Sequence, residues 1–392
     1  SGTGITSSQI EADGIDGTKI ADNSIGIEHL EDDTVGVAEL SATGTASSST
    51  YLRGDNSWAA AGGGIGEFDG TSIAISSDDT ALADDDGTSN NNIAMGGNAL
   101  LTLTTGSNNI ALGTDCLKVN NSTNNVALGF ETMMASTGGS NTAIGAKSMN
   151  SGNISASNTA IGYYSMGGAD QTGTYNVAAG AYAGKKIASA GNIAIGYYTM
   201  GNTNGVTGAY NVAVGHESVY TLTSGASNVG IGKWALKAST TADSNTAVGP
   251  QSLMANTTGS SNVAVGVNAL LANTTGQKNV AIGADALDAN TTGVYVVGIG
   301  WRALTSNTTG INNTAIGSRQ VMNSNTTGGN NTALGTQALY KNTTASNNVA
   351  LGYRTLWSNT TASDNVAVGA DALYANTTGN ANTAVGALAL DA

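Results

Sequence analysis

The residues able to do covalent or acid–base chemistry are few in this chain, and their spacing does not assemble them. The 392 residues hold one cysteine, Cys116, and two histidines, His29 and His216. Cys116 lies three residues after Gly113, where related stretches carry Ala, Ser or Thr, so it reads as a small packing residue. His216 follows Gly215 at a position of variable chemistry, and no acid is spaced to form a proton relay with either histidine. Asp285 and Asp371 each follow a glycine by two residues. Glycoside hydrolysis needs two carboxylates facing each other across a cleft, and nothing here pairs them. Asp84, Asp85 and Asp86 suggest calcium, but Leu82 and Ile93 fall on the first and last ligand positions of the EF-hand frame. In GGIGEF (63–68), Phe68 stands where a glycine-rich calcium repeat requires Asp. No catalytic residue, metal site or cofactor is expected.

Two surface motifs are better explained by the repeat than by chemistry. Arg53-Gly54-Asp55 sits inside a longer junction sequence. Eight Asn-Thr-Thr triplets, at Asn256, Asn273, Asn290, Asn307, Asn325, Asn342, Asn359 and Asn376, match the N-glycosylation pattern. They recur with the period of a turn, which accounts for them without a glycan. The aromatic residues are the stronger candidates. Tyr340, Trp357 and Tyr374 each lie five after a glycine and seventeen from the next, so they stack in one column. Tyr163, Tyr164, Tyr197, Tyr198 and Trp301 occupy the two variable positions after their glycines. These slots also take Lys, Asp and Asn, so the rings are expected at the surface, where they contact a glycan or stabilise stacked strands.

What positions them is a repeat. The pattern N-x-A-Φ-G, with Φ aliphatic, ends at glycines 96, 113, 129, 145, 162, 180, 196, 215, 232, 249, 266, 283, 300, 317, 335, 352, 369 and 386. Most spacings are seventeen; Val296 stands where Asn is expected and Ala179 at the aliphatic place. So short a period over so long a stretch means a repeat architecture. In NVAIG (279–283) the side chains alternate, as in a short strand. The later pair Ala286-Leu287 reads as a second short strand with its aliphatic inward, and NTTG closes the unit as a turn. Recurrent Gly and paired Thr exclude a helix. The expected fold is all-β, a parallel β-solenoid or β-roll with one coil of about seventeen residues per repeat. At about 4.8 Å per coil, eighteen coils make a column of about 85 Å. Each coil has a thin core, and both faces of NVAIG look apolar or small. One face lines the coil; the other is expected to meet further copies, in a homotrimer.

The N-x-A-Φ-G repeat resembles the head repeat of trimeric autotransporter adhesins, whose core is often S-V-A-I-G; the match covers roughly residues 91–392. That resemblance implies a trimeric left-handed parallel β-roll. The present repeat is longer and adds the ALxxNTTG half, which is similar to repeats in tail fibres of tailed phages. The chain divides into 1–44, with aliphatics five apart from Ile5 to Leu40 in ten-residue units; a junction, 45–61; a Gly-rich acidic connector, 62–90; and the solenoid, 91–392. The junction segment S-S-T-Y-L-R-G-D-N-S-W-A also resembles a phage tail-fibre motif.

Charge is unevenly spread along the chain. Residues 1–90 carry a net −15 and residues 91–392 a net +1. Neither offers the basic stripe of a nucleic-acid binder, and no apolar run approaches the ~18 residues of a membrane span. With no N-terminal Met, no signal peptide and no capping repeat, the sequence reads as part of a longer chain. The expected function is a phage tail-fibre shaft in the virion. Its partners are its own copies, other tail proteins and a host surface glycan. The alternative is a bacterial adhesin head at the cell surface; an ice-binding solenoid and a polysaccharide depolymerase are further alternatives.

Overall fold

The computed structural model describes residues 50–52, 58–60, 67–68, 72–75, 81–82 and 91–391, apart from 151–153, 169–171 and 202–203. The five-residue period of 1–44, His29, the Arg53-Gly54-Asp55 tripeptide and the acidic run 84–86 lie outside the described residues. The chain forms two compact units, divided between Gly63 and Gly64. In the first, Thr50–Leu52 pairs antiparallel with Trp58–Ala60 as a hairpin across the junction motif.

The second unit is a parallel β-solenoid. Each N-x-A-Φ-G motif supplies one short strand, and successive strands pair in register one repeat apart: Val280 with Val297, Ala281 with Gly298, Ile282 with Ile299. This single parallel ladder runs from Ile73–Ile75 through Ile93–Met95 to Thr383–Val385. Its first rung therefore lies within the segment 62–90, where Ile73-Ala74-Ile75 repeats the strand pattern without its glycine. Glu67–Phe68 adds an antiparallel strand to that rung. The described residues contain no helix.

Alternation along the strand sets the core. The central Ala of each motif, such as Ala281, is fully buried inside the coil. The flanking residues point outward and stay partly exposed, with Ile282 at 39% and Ile195 at 41%. The post-glycine Ala286 and Leu287 are also fully buried. They are not the expected second strand. Asp285 and Leu287 are left-handed, at φ 55° and 54°, with Ala286 between them, and this alternation curls the chain. A four-residue turn closes through Ala286 N–H to the Gly283 carbonyl at 3.3 Å, and its left-handed third residue is what a type II turn requires. Stacking survives the curl because alternate amides point to opposite neighbours. Asp285 N–H donates to Val267 O (2.9 Å) in the preceding coil, and Leu287 N–H to Ala303 O (2.9 Å) in the following one. Gly283 starts the turn at φ 132°, and a Cβ there would stand 2.5 Å from the Gly300 carbonyl oxygen. Only glycine meets both conditions.

Two columns of buried asparagine complete the coil. The motif asparagines pass a bond along the stack: Asn262 N–H donates to Asn245 Oδ1 at 2.9 Å, and Asn245 N–H to Asn228 Oδ1 at 3.0 Å. The NTT asparagines form the second column, with Asn273 Nδ2 donating to Asn256 Oδ1 (2.8 Å) and to Gly276 O (3.0 Å). Buried amides with every bond satisfied are stabilising and specify the register.

Candidate glycan-contact edge

The turn after each glycine builds the edge where function is best sought. Residues three and four after the glycine point inward, so residues one, two, five and six form outward columns with the coil spacing. Polar and aromatic chemistry gathers there. Ten of the eleven Lys and Arg in 91–392 lie one to six residues after their glycine, with thirteen of the sixteen aromatic residues and seven of the ten carboxylates. An even distribution would put about a third of them there, since six of seventeen positions qualify. Spacing alone places aromatic residues and Lys on this edge; which cation meets which ring is a matter of the fold. The sequence reading did not identify Tyr182, although Tyr182 lies two after Gly180 as Tyr198 lies two after Gly196.

The structure sorts the sequence candidates into three groups. Tyr163, Tyr164, Tyr197 and Tyr198 come together around Tyr182. Tyr182 stacks on Tyr198 with centroids 4.6 Å apart and meets Tyr163 edge-on at 5.4 Å. His216 lies 5.3 Å from Tyr197, and Tyr220 lies 6.2 Å from Tyr198. Removal from water raises the Tyr182 hydroxyl pKa, helped by the neighbouring tyrosines. Tyr163 and Tyr197 remain about half exposed, at 47% and 48%.

Tyr340, Trp357 and Tyr374 form the second group, a near-parallel stack with centroids 5.6 and 5.3 Å apart and planes within 12°. Lys341 Nζ lies 4.1 Å from the Trp357 centroid, and the Arg354 guanidinium 4.4 Å from that of Tyr374. These ring faces are engaged by one another and by cations. The column ties three adjacent coils together. Trp301, 40% exposed, stands apart from both groups between Arg302 and Arg319.

Ion pairs tie much of the remaining edge. Lys118 meets Asp115 at 2.8 Å and Lys147 meets Glu131 at 3.4 Å; Lys237 pairs with Glu217. The hydrogen bond from Lys118 holds the Asp115 carboxyl below its usual range, and that from Lys237 does the same for Glu217. Arg354 Nε and Asp371 Oδ1 lie 3.0 Å apart without hydrogen-bond alignment, so this contact is electrostatic. Cys116 is fully buried beneath the edge, as its packing role predicts, with Sγ 3.2 Å from Ala127 O. Burial pushes its thiol up to about 12, far from a nucleophile's range. Asp285 and Asp371 lie five coils apart. Among the described residues no three metal-ligating side chains converge, and no helix is long and apolar enough to cross a membrane. The Asn-Thr-Thr asparagines from Asn256 to Asn359 are fully buried; in those from Asn273 onward, Nδ2 donates to two carbonyl oxygens, as in Asn290. A folded coil does not present them for glycosylation.

The chain matches no protein-family model, no curated protein and no solved structure.

Proposed function

We propose that this chain is the structural and adhesive shaft of a phage tail fibre, acting without catalysis as a homotrimer on the virion. The observation that carries this reading is the aliphatic strip on the outer face of the ladder. Each strand leaves two side chains facing out, as Ile193 and Ile195 or Val280 and Ile282 do, and many are more than a third exposed. The column just before the glycine is aliphatic but for Ala179, while Thr takes the other outward position in six strands, and so long an apolar column marks an interaction surface. Its period is the coil spacing, and the surface that matches that spacing throughout is the same strip on another copy. Three copies around a common axis would cover all three strips, as in the trimeric heads that the N-x-A-Φ-G motif resembles. The stacked coils then set length and stiffness, other tail proteins join the ends, and the aromatic edge faces outward toward a host surface glycan.

A bacterial trimeric adhesin head is the second reading, favoured by the strand motif. It shares the trimer and differs in genetic setting: a secretion signal and membrane anchor rather than tail genes. Light scattering tests what both share. Three times the 38.7 kDa chain mass supports the reading, and a monomer at micromolar concentration overturns it. Replacing Ile195 and Ile282 with Glu should dissociate the trimer, because the strip would then hold unpaired charge. Replacing Tyr197 and Tyr198 with Ala should weaken binding to host cells; undiminished binding removes the adhesive part.

A further inference from the structure

The coil stack breaks register once along Val297–Trp301 and Thr314–Arg319, and the break creates a site. These are its longest strands, and the shift falls between Ile299 and Trp301. The following glycine interval is eighteen residues, and the left-handed residues Gln320 and Met322 lie three and five after Gly317 instead of two and four. One residue has thus been inserted at the start of the turn. Gly317 has lost the positive φ of the equivalent glycines. The insertion carries the strand on to Arg319, which pairs with Trp301.

Two guanidinium groups therefore flank one indole. The Arg302 and Arg319 guanidinium carbons each lie 5.6 Å from the Trp301 centroid. Arg319 is exposed and Trp301 is 40% exposed. Elsewhere on this edge Lys118, Lys147, Lys237 and Arg354 each face a carboxylate. Among the described residues no ion pair is formed by Arg302 or Arg319, and Arg302 Nε is buried without a hydrogen-bond partner. The nearby acids form neither an ion pair nor a hydrogen bond with Arg302. Asp285 accepts from Asn268 Nδ2 at 3.0 Å. Asp288, in the coil before, feels the Arg302 charge, which lowers its pKa, but burial and the neighbouring Asp285 outweigh this and raise it, and its Oδ1 is buried without a hydrogen-bond partner. The Arg319 guanidinium, exposed and without an ion pair among the described residues, is open to a ligand oxyanion beside the indole.

We infer that Trp301, Arg302 and Arg319 form a binding site for an acidic sugar unit of a polysaccharide. The guanidinium groups receive its carboxylate, and the indole contacts its ring. Guanidinium groups suit carboxylate recognition because they offer paired donors in a plane, and indole offers a flat apolar surface beside them. This rests on the glycan contact proposed for the edge and adds a sign of charge and a location.

The test compares polygalacturonate with its methyl ester, which keeps the sugar backbone and removes the charge. Calorimetry on the full chain should show at least tenfold tighter binding of the acid form. That preference should weaken with added salt, since exposed charges are screened. Replacing Arg302 and Arg319 with Gln should abolish the preference while circular dichroism stays unchanged. Trp301→Leu should weaken the acid polymer more than inorganic sulfate, because sulfate has no ring to contact. Equal affinity for acid and ester, or an unchanged preference in the Gln variant, overturns the site but leaves the neutral-glycan reading intact. Sulfate binding as tightly as the polymer reduces it to a simple anion site and also overturns it. If neither polymer binds while wild-type protein still adheres to host cells through Tyr197 and Tyr198, this site fails and the adhesive role stands. Loss of both removes the two together.

Discussion

Truncating Asn245 should destabilise the solenoid more than truncating Asn279, although both occupy the same place in NxAΦG. The Asn245 side chain makes four bonds. Its Nδ2 donates to Asn228 Oδ1 (3.1 Å) and Gly259 O (2.9 Å), and its Oδ1 accepts from Asn262 N–H (2.9 Å) and Asn262 Nδ2 (3.1 Å). Asn279 makes two: Nδ2 to Gly293 O at 2.8 Å, and Oδ1 from Val296 N–H at 2.9 Å. One bond is missing because Val296 replaces the next asparagine and offers only its backbone, the other because Asn279 Nδ2 makes no bond to Asn262 Oδ1. Either change to Ala leaves one buried amide without its side-chain acceptor, that of Asn262 or of Val296, at about 2 kcal/mol. The other partners keep a second bond. Gly259 O still accepts from Asn256 and Gly293 O from Asn290; Asn228 Oδ1 still accepts from Asn245 N–H, and Asn262 Nδ2 still donates to Gly276 O. These losses are therefore ordinary hydrogen bonds of about 1 kcal/mol each, three for Asn245 and one for Asn279. Asn245→Ala should then cost about 5 kcal/mol and Asn279→Ala about 3 kcal/mol. Urea unfolding followed by circular dichroism, at one fixed protein concentration because association shifts apparent stability, measures the difference. An Asn279 cost equal to or above that of Asn245, or both below about 1 kcal/mol, would refute the bond-counting argument.

Three further outcomes are expected. Gly283→Ala should cost about 2–4 kcal/mol from backbone strain and the close approach to Gly300. Gly276→Ala should cost less, because Ala345 and Ala362 occupy the equivalent corner in later coils; thermal melts of the two variants compare them. Cys116 should resist thiol reagents at pH 8 until denaturant is added, since its thiol is held at about 12; rapid labelling of native protein would contradict its burial. Glu217 and Asp115 are held below their usual range, so their contributions are present above the unfolded carboxylate range near pH 4 and fade as acid protonates them in the folded state. Glu217→Gln should therefore flatten the loss of stability between about pH 5 and pH 2, read from unfolding midpoints across that range.

The sequence by itself determined the repeat, its period and the strand in each unit, because stacked coils require like residues at like positions. It also determined that Cys116 packs rather than reacts, since the position is small in every copy but the one after Gly317. Only the tertiary structure decided how the rest of the coil closes. Ala286-Leu287 has the composition of a strand, but left-handed residues on alternate sites turn it into a curl, and no residue type announces a left-handed leucine. Tertiary structure also decided the environment of the aromatic rings. Tyr340, Trp357 and Tyr374 share a spacing that placed them in one column, and the stack itself showed that their faces are engaged. Trp301 looked like one aromatic among several until the inserted residue carried Arg319 to its side. A spacing of eighteen instead of seventeen was visible in the chain, but which side chain it would move depended on the hydrogen bonds between two particular coils.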